Sequence, residues 1–122
     1  MTKIIFHILN IIFIILYVYP GSLLGYLVYK DNSKQPRISP DFFELSSNHV
    51  YAFLLLSLLG LISYFKHQKL VIIYLILISV ILEILHLYIP HRSFQFSDLF
   101  GNIVGVLLSI FVLILFNLWR EK

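Results

Sequence analysis

The sequence predicts an all-α, polytopic membrane protein: a bundle of four transmembrane helices in a single domain over residues 1–122. The chain is 60% hydrophobic and 12% charged, and its mean hydropathy is +0.93. Soluble domains are nearer 45–50% apolar and about 25% charged. Several long apolar runs cannot all be buried inside a chain of this length, so we expect them to face lipid.

The first apolar run extends from Ile4 to Tyr19 and is followed by Pro20-Gly21, which is a strong stop signal. A second apolar piece continues to Tyr29, which leaves two alternatives. One kinked span covers 4–29, or a short span covers 4–19 and the following residues lie along the interface. We favour the short span. No A-x-A-like cleavage site follows the run, so a signal anchor is expected rather than a cleaved signal peptide.

The rest of the chain divides into one long polar loop and three further apolar spans. Residues 30–47 contain two prolines and six charges, and we predict an outward-facing loop there. The spans are expected at 48–65, 70–89 and 98–118. Pro90 stops the third span, and the hydroxyl of Ser97 is placed to cap the fourth.

The direction of the chain is inferred from its Lys and Arg residues. With four spans, the N-terminus, the turn at 66–69 and the C-terminus share one side. That side carries five positive residues: Lys3, Lys66, Lys69, Arg120 and Lys122. The other side carries four, offset by acidic residues: Lys30, Lys34, Arg37 and Arg92. This bias predicts a protein with both termini inside (N-in/C-in).

Polar residues concentrate near the outer ends of the last three spans. Six of them are predicted to meet between those helices: His49, Glu83, His86, Arg92, Asp98 and Asn102. Glu83 lies seven residues before Pro90, which places it roughly 10 Å below the outer end of a helix that reaches Pro90. A charge at membrane depth costs roughly 2.5–3.5 kcal/mol, so Glu83 needs a partner among the neighbouring histidines and Arg92. Asp98 and Arg92 are expected to form a second pair.

A stripe of small residues follows on the fourth span: Gly101, Gly105 and Ser109. Such a stripe lets a second helix approach closely. The third span is the expected neighbour, and that approach would bring Asn102 towards Glu83. A homodimer through the same stripe is the competing interpretation.

The ordered set of polar residues resembles the VanZ-like membrane proteins. The matching residues, preceded by His49 in SSNHVYAFLLL, are Glu83, His86, Pro90, Arg92, Asp98, Asn102 and Gly105. The resemblance covers nearly the whole chain, although His86 stands where the family more often has Gln and Asn48 where it more often has Lys. It implies a multi-pass protein of the bacterial plasma membrane, near cell-envelope metabolism. The family is named for a protein linked to low-level resistance to the glycopeptide teicoplanin.

Two main functions follow, and whether the protein is an enzyme is left open between them. In the first, the cluster binds or processes the phosphate or glycan headgroup of an envelope lipid, such as a lipid-linked glycan or a polyprenyl phosphate. Glu83 or His49 would then be the acid or base, and Arg92 would grip the anion beside three further binding residues: His86, Asp98 and Asn102. In the second, the protein is a non-enzymatic membrane adaptor whose cluster only locks the helices. A small proton-coupled transporter is a third, weaker alternative.

No cofactor or metal is predicted. Glu83, His86, His49 and Asp98 are residue types that bind zinc or manganese. However, the H-E-x-x-H spacing is absent, and the Gln common at position 86 in the family would be a poor ligand. The absence of cysteine excludes thiolate sites, and no basic block is dense enough to indicate nucleic-acid binding.

Overall fold

The computed structural model describes residues 1–122, and all of its regular secondary structure is helical, which confirms the all-α fold class. A single 3₁₀ turn, Phe65–His67, lies between the third and fourth helices, and there is no β-strand. The five helices are α1 (Thr2–Val18), α2 (Leu23–Tyr29), α3 (Ser47–Ser63), α4 (Gln68–Leu85) and α5 (Phe96–Arg120).

The lengths and apolar composition of these helices fit a membrane protein. Two helical segments are long and apolar enough to cross a bilayer, namely Phe65–Leu85 and Phe96–Arg120. Helices α1 and α2 pass the same test only as a pair, and α3 is apolar but has only 17 residues. Large apolar side chains cover the outside of the bundle, and the interior holds a small core of nine apolar residues.

The break between α1 and α2 bears on the two alternatives for the first span. The two helices are bent by 87° at Tyr19–Ser22, so residues 23–29 turn aside instead of continuing α1. Tyr19 is extended, as expected before a proline, and Gly21 has a φ of 96°, which favours glycine. A bend of this size favours the short span over one kinked span, and which residues cross the membrane stays a prediction.

Two helix ends differ from the sequence predictions. Helix α4 ends at Leu85, not at residue 89, because residues 86–88 continue as i→i−3 turns before the proline. Glu83 therefore lies in the last turn of α4, only about 3 Å from its end. Helix α5 begins at Phe96 with Gln95 as its N-cap, so Ser97 is not the cap that we predicted.

The helices alternate in direction, so four helix ends meet at one end of the bundle. There the C-terminal residues of α1 and α4 contact the N-terminal residues of α3 and α5, through Tyr17, His86, His49 and Asn102. At the opposite end, the imidazole of His7 contacts the Tyr64 hydroxyl at 2.6 Å. The polar cluster therefore lies at the same end of the bundle as the loops 30–46 and 86–95.

The small-residue stripe packs on α3, and not on α4 as predicted. A Cβ at Gly105 would lie 2.6 Å from the backbone oxygen of Val50, and one at Gly101 would lie 2.9 Å from the backbone oxygen of Ser46. Helix α5 accordingly has its most extensive contact with α3. A homodimer through Gly101, Gly105 and Ser109 would have to displace α3, and it stays a prediction.

The polar loop 30–46 is folded against the helix ends. The Asn48 amide donates to the backbone oxygen of Pro36 at 2.6 Å, and the Ser47 hydroxyl donates to that of Ser39 at 2.8 Å. The Ser22 hydroxyl donates to the amide oxygen of Gln35 at 2.6 Å. The Asn at position 48 thus holds the loop over α3, and the loop forms one wall of the site.

Candidate functional site

Asn102, in the second turn of α5, is fully buried and joins α5 to three other helices. Its amide nitrogen donates to the backbone oxygen of Ser79 in α4 at 3.0 Å. Its amide oxygen accepts from the Tyr17 hydroxyl at 2.9 Å and lies 2.8 Å from Nδ1 of His49. Asn102 therefore reaches the carbonyl of Ser79, one turn before Glu83, and makes no hydrogen bond to Glu83 itself.

These contacts fix the orientation of the His49 ring. A backbone carbonyl only accepts, so the Asn102 nitrogen must face Ser79 and its oxygen must face His49. Nδ1 of His49 therefore carries the hydrogen that Asn102 accepts. In the neutral imidazole this leaves a lone pair on Nε2, and Nε2 lies 3.6 Å from the carboxylate of Asp98.

Glu83 is fully buried in the last turn of α4 and lies beside His86, one of the partners that we expected. Its Oε1 accepts from the backbone N–H of Gln95, the N-cap of α5, at 3.0 Å. Its Oε2 is 3.1 Å from Nδ1 of His86, which is an ion-pair distance, but the two groups are not aligned as a hydrogen bond. Oε2 thus has an electrostatic neighbour and no hydrogen-bond donor.

His86 links Glu83 to α1. Its Nε2 is 2.9 Å from the backbone oxygen of Tyr17, so Nε2 carries a hydrogen. The His86 ring also stacks on the ring of Tyr17, with centroids 5.9 Å apart. In the neutral ring, Nδ1 therefore carries a lone pair, and it faces Oε2 of Glu83 at 3.1 Å without an aligned hydrogen bond.

Arg92 does not pair with Asp98 as we predicted. Its Nε donates to the backbone oxygen of Tyr19 at 3.0 Å, and its Nη2 donates to that of Leu16 at 2.7 Å. These are carbonyls at the C-terminus of α1, which have no partner within the helix and attract a cation. Asp98 instead faces His49, and it lies in the first turn of α5, where a carboxylate is favoured.

Burial lowers the pKa of the Arg92 guanidinium, and the charges of Asp98 and Glu83 oppose that shift. None of the four ion pairs involves Arg92. After its two backbone hydrogen bonds, the guanidinium keeps three of its five N–H groups for other acceptors.

A cavity of about 1080 Å³ opens beside the cluster, between α1, α3 and the loops 30–46 and 86–95. Its polar wall includes five side chains from the helix ends and the loops: Arg37, His49, His86, Arg92 and Asp98. An apolar part of the wall comes from α1, α2 and α3: Phe13, Leu16, Leu23, Leu24 and Leu55. Glu83 and Asn102 lie behind this wall and do not line the cavity.

The structure brings together the six predicted residues and adds three that the sequence analysis missed. Tyr17 contacts His49, His86 and Asn102; Gln95 binds Glu83; and Arg37 lines the cavity. Tyr17 carried one usable signal, since a hydroxyl inside an apolar run has to find a buried partner. Gln95 acts through its backbone, and Arg37 is one of many loop charges, so neither carried a signal of its own.

His49 is the better placed of the two predicted acid/base residues, because its Nε2 is free and the residue lines the cavity. Glu83 is fully buried and does not line the cavity. A catalytic role for either residue, and a binding role for the other four, stay predictions.

One of three comparisons with known proteins found a match. No curated protein and no solved structure matches the chain. A profile of the VanZ/LLP1 family matches residues 4–117, which is most of the chain and includes every residue of the cluster. The chain therefore belongs to the VanZ/LLP1 family.

Proposed function

We propose that the protein crosses the bacterial plasma membrane four times, with both termini inside, and binds the phosphate or glycan headgroup of an envelope lipid. The alternating helices support four crossings, with α1 and α3 as the shorter ones. Five Lys and Arg residues lie at the end of the bundle opposite the cavity, and they support placing that end inside the cell. The cavity then opens towards the outer leaflet.

The observation that carries the proposal is that Arg92 lines the cavity and forms no ion pair. A guanidinium is fixed beside the cavity by two backbone carbonyls, and no carboxylate neutralises it at ion-pair distance. Arg forms bidentate hydrogen bonds with phosphate, and its remaining N–H groups are the donors for such a contact. A bound anion would also offset the desolvation that lowers the pKa of Arg92.

The apolar part of the cavity wall favours an amphipathic ligand over a free sugar or a free phosphate. Leu55 lines the cavity and is 55% exposed on the outside of α3, so the apolar part of the wall reaches the outer surface of the bundle. A headgroup in the polar part leaves its chain against the apolar part of the wall. A polyprenyl phosphate or a lipid-linked glycan has this chemistry.

Native mass spectrometry of the purified protein tests the proposal through co-purifying lipid. Arg37 and Lys34 offer a matched pair of variants in one loop, because their side chains are 65% and 66% exposed and each forms an ion pair of 3.8 Å. Of these two residues, only Arg37 lines the cavity. We expect Arg37→Gln to retain about two- to fivefold less anionic lipid than wild type, and Lys34→Gln to retain as much.

Arg92→Ala should lose the lipid by about tenfold or more, because it removes charged hydrogen bonds. Its fold is checked by far-ultraviolet circular dichroism, since the same change exposes carbonyls of α1. Equal retention of the same bulk phospholipids by wild type, Arg37→Gln and Arg92→Ala would overturn the proposal. Competition with inorganic phosphate separates recognition of the headgroup from recognition of any anion.

A membrane adaptor is the second candidate, and the connections of Asn102 favour it. One amide holds α1, α3 and α4 to α5, which is what a cluster that only locks helices requires. Because α3 already covers the small-residue stripe, a partner would bind the loop 30–46. If the protein is an adaptor, we expect crosslinking from Phe43, whose side chain is fully exposed, to capture a partner protein. The purified protein should then retain no specific lipid.

We further propose that the lipid site underlies a link to teicoplanin resistance, as the family resemblance implies. Expression of the wild-type protein in a susceptible Gram-positive host should raise the minimal inhibitory concentration of teicoplanin. Arg37→Gln should reduce that increase, and Lys34→Gln should not. No increase with well-expressed wild type would reject the link and leave the lipid-binding test unaffected.

A further inference from the structure

Three potential metal ligands from three different helices converge beside the cavity. His49 of α3, Glu83 of α4 and Asp98 of α5 each offer one ligand atom, and these atoms all lie within 4.8 Å of one another. His49 and Asp98 line the cavity, and Glu83 closes the group from behind.

The His49 ring is already oriented as a metal ligand. Its Nδ1–H is donated to the amide oxygen of Asn102, which leaves the Nε2 lone pair directed towards Asp98. Histidines that bind metals are usually held in this manner, with the second ring nitrogen donating to a fixed acceptor. Asn102 is in turn fixed by the backbone of Ser79.

The spacing of the group suits a shared cation better than direct contacts between the side chains. His49 Nε2 and the Asp98 carboxylate are 3.6 Å apart, which is too long for a hydrogen bond. Two ligands at about 2.1 Å from one ion stand roughly 3.0–3.4 Å apart, so this pair needs only a small adjustment. No separation in the group exceeds 4.8 Å, so rotation of the side chains has to bring the ligand atoms closer by less than about 2 Å.

Glu83 supplies an independent observation. Its side chain is fully buried, yet Oε2 has no hydrogen-bond donor and only a misaligned contact with His86. A buried carboxylate oxygen without a donor is costly and requires compensation. Two carboxylates and a divalent cation together carry no net charge, which leaves the charge of Arg92 uncompensated and available to an anion.

We propose that His49, Glu83 and Asp98 bind one divalent transition-metal ion of the Zn²⁺ or Mn²⁺ type, with its open coordination positions facing the cavity. A mixed imidazole and carboxylate set suits these ions. The sequence arguments against a metal do not apply to this set, because His86 is not one of its ligands and the ligands come from three separate helices. The metal site stands independently of the proposed lipid.

The test is Zn²⁺ binding by the full-length protein in detergent, purified with a tag that contains no histidine and stripped with a chelator. Competition with a chromophoric zinc indicator gives the affinity and the stoichiometry. We expect one Zn²⁺ per chain. Asp98→Asn and Glu83→Gln, which keep the side-chain shape, should each weaken binding by at least about tenfold. His67→Gln, in the exposed turn at the opposite end, is the matched control and should bind as wild type does.

Circular dichroism confirms that each variant is folded before the titration. No saturable binding by wild type would overturn the inference, and so would equal affinities for wild type, Asp98→Asn and Glu83→Gln. A loss in His67→Gln as large as in Asp98→Asn would point to surface histidines and overturn it as well. The titration contains no added lipid, so its failure and the failure of the lipid proposal are distinguishable.

Discussion

Replacing Glu83 by Gln should leave the fold intact, whereas replacing it by Ala should not. The amide oxygen of Gln can accept from the Gln95 N–H, as Oε1 does at 3.0 Å. After a rotation that aligns the two groups, the amide nitrogen can donate to Nδ1 of neutral His86, which is 3.1 Å from Oε2. Nδ1 can accept because the other ring nitrogen carries the hydrogen given to Tyr17. Ala offers neither group.

The expected free energies follow from these contacts. Glu83→Gln exchanges interactions of a carboxylate for neutral hydrogen bonds, which lowers the free energy of unfolding by about 1 kcal/mol or less. Glu83→Ala leaves the Gln95 N–H and His86 without their partner at a site that is 0% exposed. Removing one member of a buried pair costs about 3–5 kcal/mol.

Unfolding in mixed micelles at increasing sodium dodecyl sulfate, followed by far-ultraviolet circular dichroism, measures both free energies. The fluorescence of Trp119 is unsuitable, because this residue is exposed at the far end of α5. If Glu83→Gln is as unstable as Glu83→Ala, the fold needs the charge itself and the hydrogen-bond argument is refuted. If Glu83→Ala is as stable as wild type, the contacts contribute nothing.

Three further predictions concern the helix contacts around the site, and the same unfolding assay measures each of them. Gly105→Ala places a Cβ 2.6 Å from the Val50 backbone oxygen, so α5 has to move from α3 and stability should fall by about 1–3 kcal/mol; unchanged stability would contradict this packing. Arg92→Ala leaves two C-terminal carbonyls of α1 without their donor and should lower the free energy of unfolding by about 1–3 kcal/mol. Arg92→Lys should recover part of that loss, because its positive charge still lies at the C-terminus of α1. Equal losses in the two variants would exclude the contribution of the charge. Tyr17→Phe removes one donor to Asn102 and should cost only about 0.5–1.5 kcal/mol, because His49 still donates to the same oxygen; a loss of several kcal/mol would mean that the hydroxyl has another essential role.

The sequence by itself determined the helical class, the approximate positions of the helices and the identity of six clustered polar residues. Apolar runs of this length fold as helices because the backbone must satisfy its own hydrogen bonds in lipid. Pro20-Gly21 determined where the first helix ends, because proline restricts the residue before it and glycine accepts a φ of 96°. Polar residues within apolar runs are costly, so their proximity in the chain indicated a common site.

Only the tertiary structure decided which partner each of these residues has. The sequence predicted an Arg92–Asp98 pair. In the structure, two carbonyls at the end of α1 accept hydrogen bonds from the Arg92 guanidinium, and Asp98 faces His49. The stripe on α5 packs on α3, because a small residue permits close approach but does not select the neighbour. Partners such as the Gln95 N–H and the Tyr17 carbonyl belong to the backbone, which is the same at every position, so their roles depend on how the helices are placed in space.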